Sequence, residues 1–142
     1  MVESPQPSPD EAIVDVLAWI CLQDNCVLGT RTRGNDVYYL PGGKREPGES
    51  DWNALFREVQ EELGVALIRE TLTEMLTVEE AAYGYSAPTR VHMKCFHADY
   101  AGKLQPMSEI AAIAWLSYAD LAQCAPACQR VIEHLHKHQL IA

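Results

Sequence analysis

Seven glycine and ionisable residues stand at fixed offsets between positions 43 and 65: Gly43, Glu49, Arg57, Glu58, Glu61, Glu62 and Gly64, with the aliphatic Val59 and Val65 among them. Glutamates at i, i+3 and i+4 share a helix face, and each like-charge pair costs roughly 0.2–0.5 kcal/mol when exposed. Something must offset that repulsion. Hard divalent cations do so, because Mg²⁺ and Mn²⁺ prefer carboxylate oxygens, keep part of their water shell and bridge to substrate phosphates. The chemistry on offer is capture of a divalent ion by Glu58, Glu61 and Glu62, with the Gly43 backbone beside them, and its presentation to a phosphoanhydride.

The surrounding residues say how such a stripe is held. Ser50 or Asp51 can cap a helix start and Gly64 can end it in a left-handed turn, which leaves room for about three to four turns. At about 100° per residue, Trp52, Leu55, Phe56, Val59 and Leu63 fall on one arc, and Glu58, Glu61 and Glu62 on another. One face is core and the other is acid. Ala54 falls on the acidic side by the same count, which predicts room there for ions and phosphate. Arg57 flanks the acidic arc, within reach of a loop carboxylate such as Glu49. Gly42, Gly43 and Gly48, set around Pro41 and Pro47, give the preceding loop a backbone able to approach phosphate or metal closely. A solvated face is the ordinary reading of a glutamate-rich helix; the glycine loop ahead of this one weighs against it.

Over the 23 residues from Gly43 to Val65 the spacing resembles the signature of the Nudix hydrolases, with every defined position filled. The resemblance implies an α/β fold, an α/β/α sandwich with a mixed sheet, and hydrolysis of a pyrophosphate bond in a small nucleoside-diphosphate-linked substrate. It implies Mg²⁺ as cofactor, with Mn²⁺ as a substitute. It also implies roles: Arg57 braces the glutamates, Glu49 ties loop to helix, and a carboxylate takes the proton from the attacking water. Glu61 or Glu62 can do so. Glu109 is the best candidate further along the chain, since it precedes a strand containing Trp115 at a place where several relatives carry a glutamate. Glu79 and Glu80 are its rivals, and read more simply as a strand end facing solvent. The expected catalytic set is therefore Glu61, Glu62, Glu109 and Arg57, and the expected substrate contacts are Gly42, Gly43, Arg31, Arg33, Lys44 and Tyr39.

Composition narrows the partners. With 142 residues, 48% of them hydrophobic, the chain has the size of one domain, expected over residues 11–142 behind a flexible Pro- and Ser-rich tail at 1–10. That tail lacks the basic start and apolar run of a secretory signal. The longest apolar stretch, Ala12 to Leu22, contains Asp15 and falls short of the roughly 20 residues that span a bilayer. A formal charge of −9 argues against a long nucleic acid as partner. Yet Arg31, Arg33, Lys44, Arg45 and Arg57 form a local cationic rim near the motif, suited to a small polyanion. The five cysteines lie in apolar segments without a disulfide framework, which predicts reduced thiols in the cytoplasm. Cys124 and Cys128 with His134, His136 and His138 match no usual zinc spacing. A homodimer is compatible with this chain.

Along the chain, Ile13 to Leu22 and Cys26 to Arg33 read as a hairpin turning at Gln23-Asp24-Asn25, and Val37 to Leu40 as a third short strand feeding the glycine loop. Thr71 to Glu80 and Arg90 to Tyr100 read as long strands joined by a loop from Tyr83 to Pro88, Gly102-Lys103 as a turn, and Ile110 to Leu116 as a last strand. Ser117 and Asp120 form a capping box for a helix near Tyr118, and Pro126 opens a final helix running to about His138. Tyr38, Tyr39, Tyr83, Tyr85, Phe96 and Trp19 could each stack on a base, although each suits the core as well. A nucleoside triphosphate, a modified nucleotide, a nucleotide sugar and a dinucleoside polyphosphate all remain open as substrates. The competing class is a non-catalytic Nudix-type module that senses a nucleotide or docks to a partner; such a module has no need of three glutamates plus Arg57.

Overall fold

The computed structural model describes residues 2–3, 12–82 and 88–142. Its strands are β1 (Val2–Glu3), β2 (Ala12–Ile20), β3 (Leu22–Gln23), β4 (Cys26–Thr32), β5 (Gly42–Lys44), β6 (Ala66–Leu67), β7 (Thr73–Ala81), β8 (Thr89–His97), β9 (Tyr100–Ala101) and β10 (Ile110–Leu116), with helices α1 (Asp51–Leu63) and α2 (Pro126–Lys137). The main sheet runs β1-β7-β8-β2-β5 and is mixed: β2 lies parallel to β8 and antiparallel to β5, while β7 lies antiparallel to β8. A second antiparallel sheet runs β10-β4-β3, and β6 pairs with β9.

β2 sits inside the main sheet because it is apolar on both faces where it is buried. Leu17, Trp19 and Cys21 point into one core with Ala54, Leu55, Val59 and Leu63 of α1; Ala18 and Ile20 point into the other with Val131, Ile132 and Leu135 of α2. Alternation at period two thus builds two cores on one sheet, and the layers are α/β/α. Trp19 is fully buried, and its indole N–H donates to the Ala98 carbonyl at 3.0 Å. Truncating such a side chain to alanine typically costs about 3–5 kcal/mol.

Helix α1 begins and ends where the sequence places it. Ser50, rather than Asp51, is the N-cap, accepting from the Asn53 N–H at 3.1 Å, and Gly64 closes the helix at φ 71°. Asp51 serves the same end differently: Lys94 of β8 reaches its carboxylate at 2.9 Å and pins the first turn to the sheet. Helix α2 opens on Pro126, and the Ser117–Asp120 capping box forms as read, although the turn it starts, Tyr118–Gln123, is 3-10 rather than α.

Several expected elements are corrected. Val37 to Leu40 is not a strand, since Tyr38 and Tyr39 make only isolated bridges to Cys124 and Thr30. The first long strand breaks at Cys21, and the hairpin turn narrows to Asp24 and Asn25, both at positive φ. The strand from Arg90 stops at His97 and resumes only as β9. The glycine loop itself contains a strand, β5, paired with β2. The expected tail at 1–10 and the loop containing Tyr83 and Tyr85 fall largely or wholly outside the described residues; Val2 and Glu3 are described, and pair in parallel with Val78 and Glu79.

Candidate functional site

The acidic stripe meets the sheet at β5. Gly43 lies opposite Leu17 and Gly42 opposite Ala18, so the two glycines run along the edge of β2 directly against α1. A Cβ on Gly43 would collide with the Glu58 carboxylate, and one on Gly42, where φ is 139°, with the Leu17 carbonyl oxygen. Only glycine permits both approaches at once. The Gly42 N–H donates to Glu62 Oε1 at 3.0 Å.

Arg57 organises the outer part of the site. Its Nε and Nη2 donate to the two oxygens of Glu49 at 2.8 Å each, its Nη1 donates to Glu58 Oε1 at 2.8 Å, and its Nη2 also reaches the Lys44 carbonyl at 3.1 Å. Glu49 in turn accepts from the Glu46 N–H at 2.8 Å. Loop, strand and helix are thereby joined through one guanidinium whose planar fork fits a carboxylate bidentately. These bonds pull the Glu49 carboxyl down to about 2.

The inner part is electrostatically opposite. Glu62 is 8% exposed, and burial pushes its carboxyl up to about 8; the Gly42 N–H opposes that rise, while the charges of Glu58, Glu109 and Glu61 add to it. Burial also raises Glu58, against the pull of Arg57 and with repulsion from Glu61 and Glu109 adding to the rise. Glu61 is the most exposed of the three, at 57% of its side chain. Glu109 arrives by a separate route. The Met107 N–H bonds the Glu62 carbonyl at 2.9 Å and the Gln105 N–H bonds that of Leu63 at 3.2 Å, tying this segment to the last turn of α1, while the Glu109 carbonyl accepts from the Arg33 N–H at 2.9 Å. The Ser108 hydroxyl and a backbone N–H hold the Glu109 carboxyl below its ordinary value, and the Arg33 charge assists. Two neighbouring carboxyls are thus driven apart, Glu62 toward the protonated form and Glu109 toward the ionised one, a pattern that separates acid from base roles.

A cleft of about 400 Å³ opens from Glu62, Gly42 and Gly43 across the α2 face of the sheet. Tyr39, Thr30, Thr32 and Asn35 line one side; Val14, Val16, Val91 and Met93 form its floor; Ala125 to Cys128, at the start of α2, close it. Of the expected substrate contacts, Gly42, Gly43 and Tyr39 share this cleft. Arg31 turns aside to the Asn35 carbonyl at 3.3 Å, Arg33 lies by Glu109, and Lys44 presents its carbonyl to Arg57. Ala54 does not border the ions' side as expected: it is fully buried in the core with Leu55 and Val59. Glu80 is held by Arg130 of α2 at 2.7 Å, and Glu79 faces His92 at 3.9 Å. Trp19 and Phe96 are core. The cleft floor is what sequence reading missed. Its signal was the run Val14, Val16, Ala18 at period two, which marks a second apolar face on β2.

The donor set fits a hard divalent ion: carboxylate oxygens that burial and mutual repulsion hold short of compensating charge, beside a strand that only glycine can form. Among the described residues no three carboxylate, imidazole or thiol groups stand close enough to cage an ion by themselves. Water and substrate phosphate complete such a shell for Mg²⁺.

The NUDIX domain family matches residues 12–136. The solution structure of the E. coli ORF135 protein is similar at 28% identity and TM-score 0.70, over 93% of this chain and 94% of that one. A MutT NUDIX hydrolase from Burkholderia pseudomallei shares the fold at 23% identity and TM-score 0.70, over 87% and 98%. A bifunctional NMN adenylyltransferase/ADP ribose pyrophosphatase from Francisella tularensis, complexed with AMP and a Mn ion, shares it at 18% identity and TM-score 0.65, over 93% of this chain and 43% of that one. No curated protein matches the chain.

Proposed function

This chain belongs to the Nudix family, and from that premise we propose that it is a Mg²⁺-dependent pyrophosphohydrolase of a small nucleoside-diphosphate-linked substrate, a nucleoside triphosphate or nucleotide derivative, working in the cytoplasm. Pyrophosphate hydrolysis follows from the family. The observation that carries the finer reading is the position of Glu62, buried among Glu58, Glu61 and Glu109 at the mouth of a cleft large enough for a nucleoside. Five free cysteines agree with a reducing compartment, and no described helix is long and apolar enough to cross a membrane.

Glu58, Glu61 and Glu62 are the residues that would hold the ion, with the Gly43 backbone alongside. The chemistry such an ion supplies when bound is neutralisation of phosphate oxygens and acidification of water. The chain's own groups do the rest. Arg57 fixes Glu58 and, through Glu49, the loop before α1. Glu109, kept ionised by Ser108 and Arg33, accepts the proton of the attacking water. Glu62, pushed toward the protonated form by burial, would ionise more readily with a bound cation beside it. The apolar floor and Tyr39 hold the nucleoside and keep water from that side of the phosphates.

The decisive assay is a panel of nucleotides with Mg²⁺ or Mn²⁺, read by released phosphate or pyrophosphate. Turnover of at least one nucleoside-diphosphate-linked compound, lost on chelation, supports the proposal; silence across the panel, with no ion taken up in calorimetry, ends it. Glu109→Gln is expected to slow turnover less than changes at the box glutamates and to shift the acid limb of the pH profile. An unshifted limb returns the base role to Glu61 or Glu62.

A further inference from the structure

Helix α2 ends with His134 and His136 in its last turn and His138 as its C-cap, and the three do different things. His136 stacks on Tyr118, with ring centres 4.2 Å apart and planes 16° apart. His134 and His138, four residues apart on one side of the helix, bring their ring centres to 4.4 Å with the planes tilted by 47°. Their backbones are also fixed to each other, since the His138 N–H donates to the His134 carbonyl at 3.1 Å. Histidines elsewhere face acids: His92 lies 3.7 Å from Asp15 and 3.9 Å from Glu79, and His97 lies 3.8 Å from Asp99. Among the described residues, His134 and His138 pair with no carboxylate.

We infer that His134 and His138 form a two-imidazole site for one late first-row divalent ion of the Ni²⁺, Cu²⁺ and Zn²⁺ class, and that the ion fastens the end of α2. The dimensions fit. A metal–nitrogen bond of about 2.0–2.1 Å puts each ring centre roughly 3.2 Å from the ion, so two rings bound at right or tetrahedral angles have centres roughly 4.5–5.2 Å apart. The observed 4.4 Å lies at the edge of that range, and His138, which is exposed, is free to rotate the small remainder. Two histidines at i and i+4 on one helix face are a zinc-binding spacing in their own right. Imidazole also selects the ion, for it suits Zn, Cu and Ni, whereas Mg²⁺ and Mn²⁺ favour the oxygens of the acidic stripe. The negative end of the helix dipole adds its attraction for a cation. Burial first, and then the charge of His138, hold the His134 ring below its ordinary value, toward the neutral form that binds metal. No third histidine, cysteine or carboxylate joins the pair among the described residues, so water completes the shell. Cys124 and Cys128 take no part, being buried before and at the opposite end of α2.

What the ion would fasten is a strap. Beyond His138 the Leu140 N–H donates to the Leu135 carbonyl at 2.9 Å, and Ile141 is buried in the core beside α2. The Ala142 N–H then donates to the Asn25 carbonyl in the hairpin turn, and its own carbonyl accepts from the Tyr118 N–H, both at 2.8 Å. The end of the chain thus ties α2 to the hairpin and to the 3-10 turn. An ion shared by His134 and His138 holds the last helical turn, from which this strap departs, and by binding the folded chain alone it stabilises that chain. The cleft is lined by the start of α2 and not by its end. The inference therefore stands whether or not the acidic stripe hydrolyses a nucleotide.

The test uses the full chain with Mg²⁺ in large excess, so that the carboxylates are contested before Ni²⁺ or Zn²⁺ is added. Calorimetry with Ni²⁺ is expected to show a site that weakens at least about tenfold in His134→Ala and in His138→Ala and survives in His136→Ala. With Zn²⁺, nitrogen-15 spectra should move the ring signals of His134 and His138 while those of His92 and His97 stay in place. At an ion concentration about 100 times Kd, Tm is expected to rise by about 5 °C in the parent and in neither of the two variants. His138 is exposed, so His138→Ala carries the comparison alone where His134→Ala fails to fold. Equal titrations of parent and His138→Ala, ring signals that move only at other histidines, or uptake that leaves Tm where it was would each overturn the inference.

Discussion

Glu49 stands just before α1 and Glu62 in its last turn, and they carry the same side chain, but one carboxyl is drawn down to about 2 and the other pushed up to about 8. Glu49 receives both arms of Arg57 and the Glu46 N–H. Glu62 receives one N–H, from Gly42, inside a buried pocket facing three other carboxylates. The motif is thus two devices in series. Its outer half is an ion-paired brace that is satisfied as it stands. Its inner half is pushed toward the protonated form by burial and by the carboxylates around it. On the proposed reading, Glu62 is the carboxylate that a bound divalent ion would stabilise most.

The sharpest way to break this contrast is at the inner half. Glu62→Gln and Glu61→Gln are each expected to lower turnover by at least about 100-fold with folding intact, and unchanged rates in both would remove the site from consideration. The two halves also predict opposite trends in stability. Glu62 has a folded pKa above its unfolded one, so its contribution is complete below about 4.5 and is lost as pH rises through about 8. In metal-free protein at pH 8, Glu62→Gln should therefore melt no lower than the parent, and a large drop in Tm would contradict that upward shift.

Gly43→Ala tests the seam between the halves. The new methyl collides with the Glu58 carboxylate, which must leave its place beside Arg57; turnover should fall about tenfold, roughly the low end expected when the support of a ligand is disturbed. Glu49→Gln probes the brace. The folded pKa here lies below the unfolded one, so the stability it contributes is present above about 4.5 and lost as pH falls through about 2. Melting curves of the variant across that window should be flatter than those of the parent, and parallel curves would count against the pairing. Least costly is Ser50→Ala, expected to lower stability by about 1 kcal/mol in chemical denaturation through loss of the bond to Asn53.

What was legible in the sequence follows physical locality. Helix α1 could be read almost to the residue because its cap, its end and its apolar period lie within one short stretch. Strand β10 was read from Ile110 to Leu116 as found, for a similar reason. Helical counting failed at Ala54, since a residue without a side chain beyond Cβ can sit at the edge of either arc and the close approach of α1 to Leu17 and Trp19 decides which. Val37 to Leu40 looked like a strand by propensity, but Tyr38 and Tyr39 spend their backbone bonds singly on Cys124 and Thr30. The cleft was invisible because its walls come from β2, β4, β8 and α2, and nothing in any one of those segments announces the others. Whether Glu109 stood near the box likewise depended on bonds from Met107 and Gln105 to the end of α1, which no local pattern encodes.

The parallel pairing of β2 with β8 has a bearing on how the molecule comes into being. Ile20 and His97 lie side by side though 77 positions separate them, and the intervening chain includes the whole of α1. Closing a contact of that span costs more chain entropy than forming local turns, so the β2–β8 pairing is expected to follow local structure. A nascent chain that has only just passed the motif carries the glutamates without the completed sheet against which Glu62 is buried. The site becomes a site when β8 slides in beside β2.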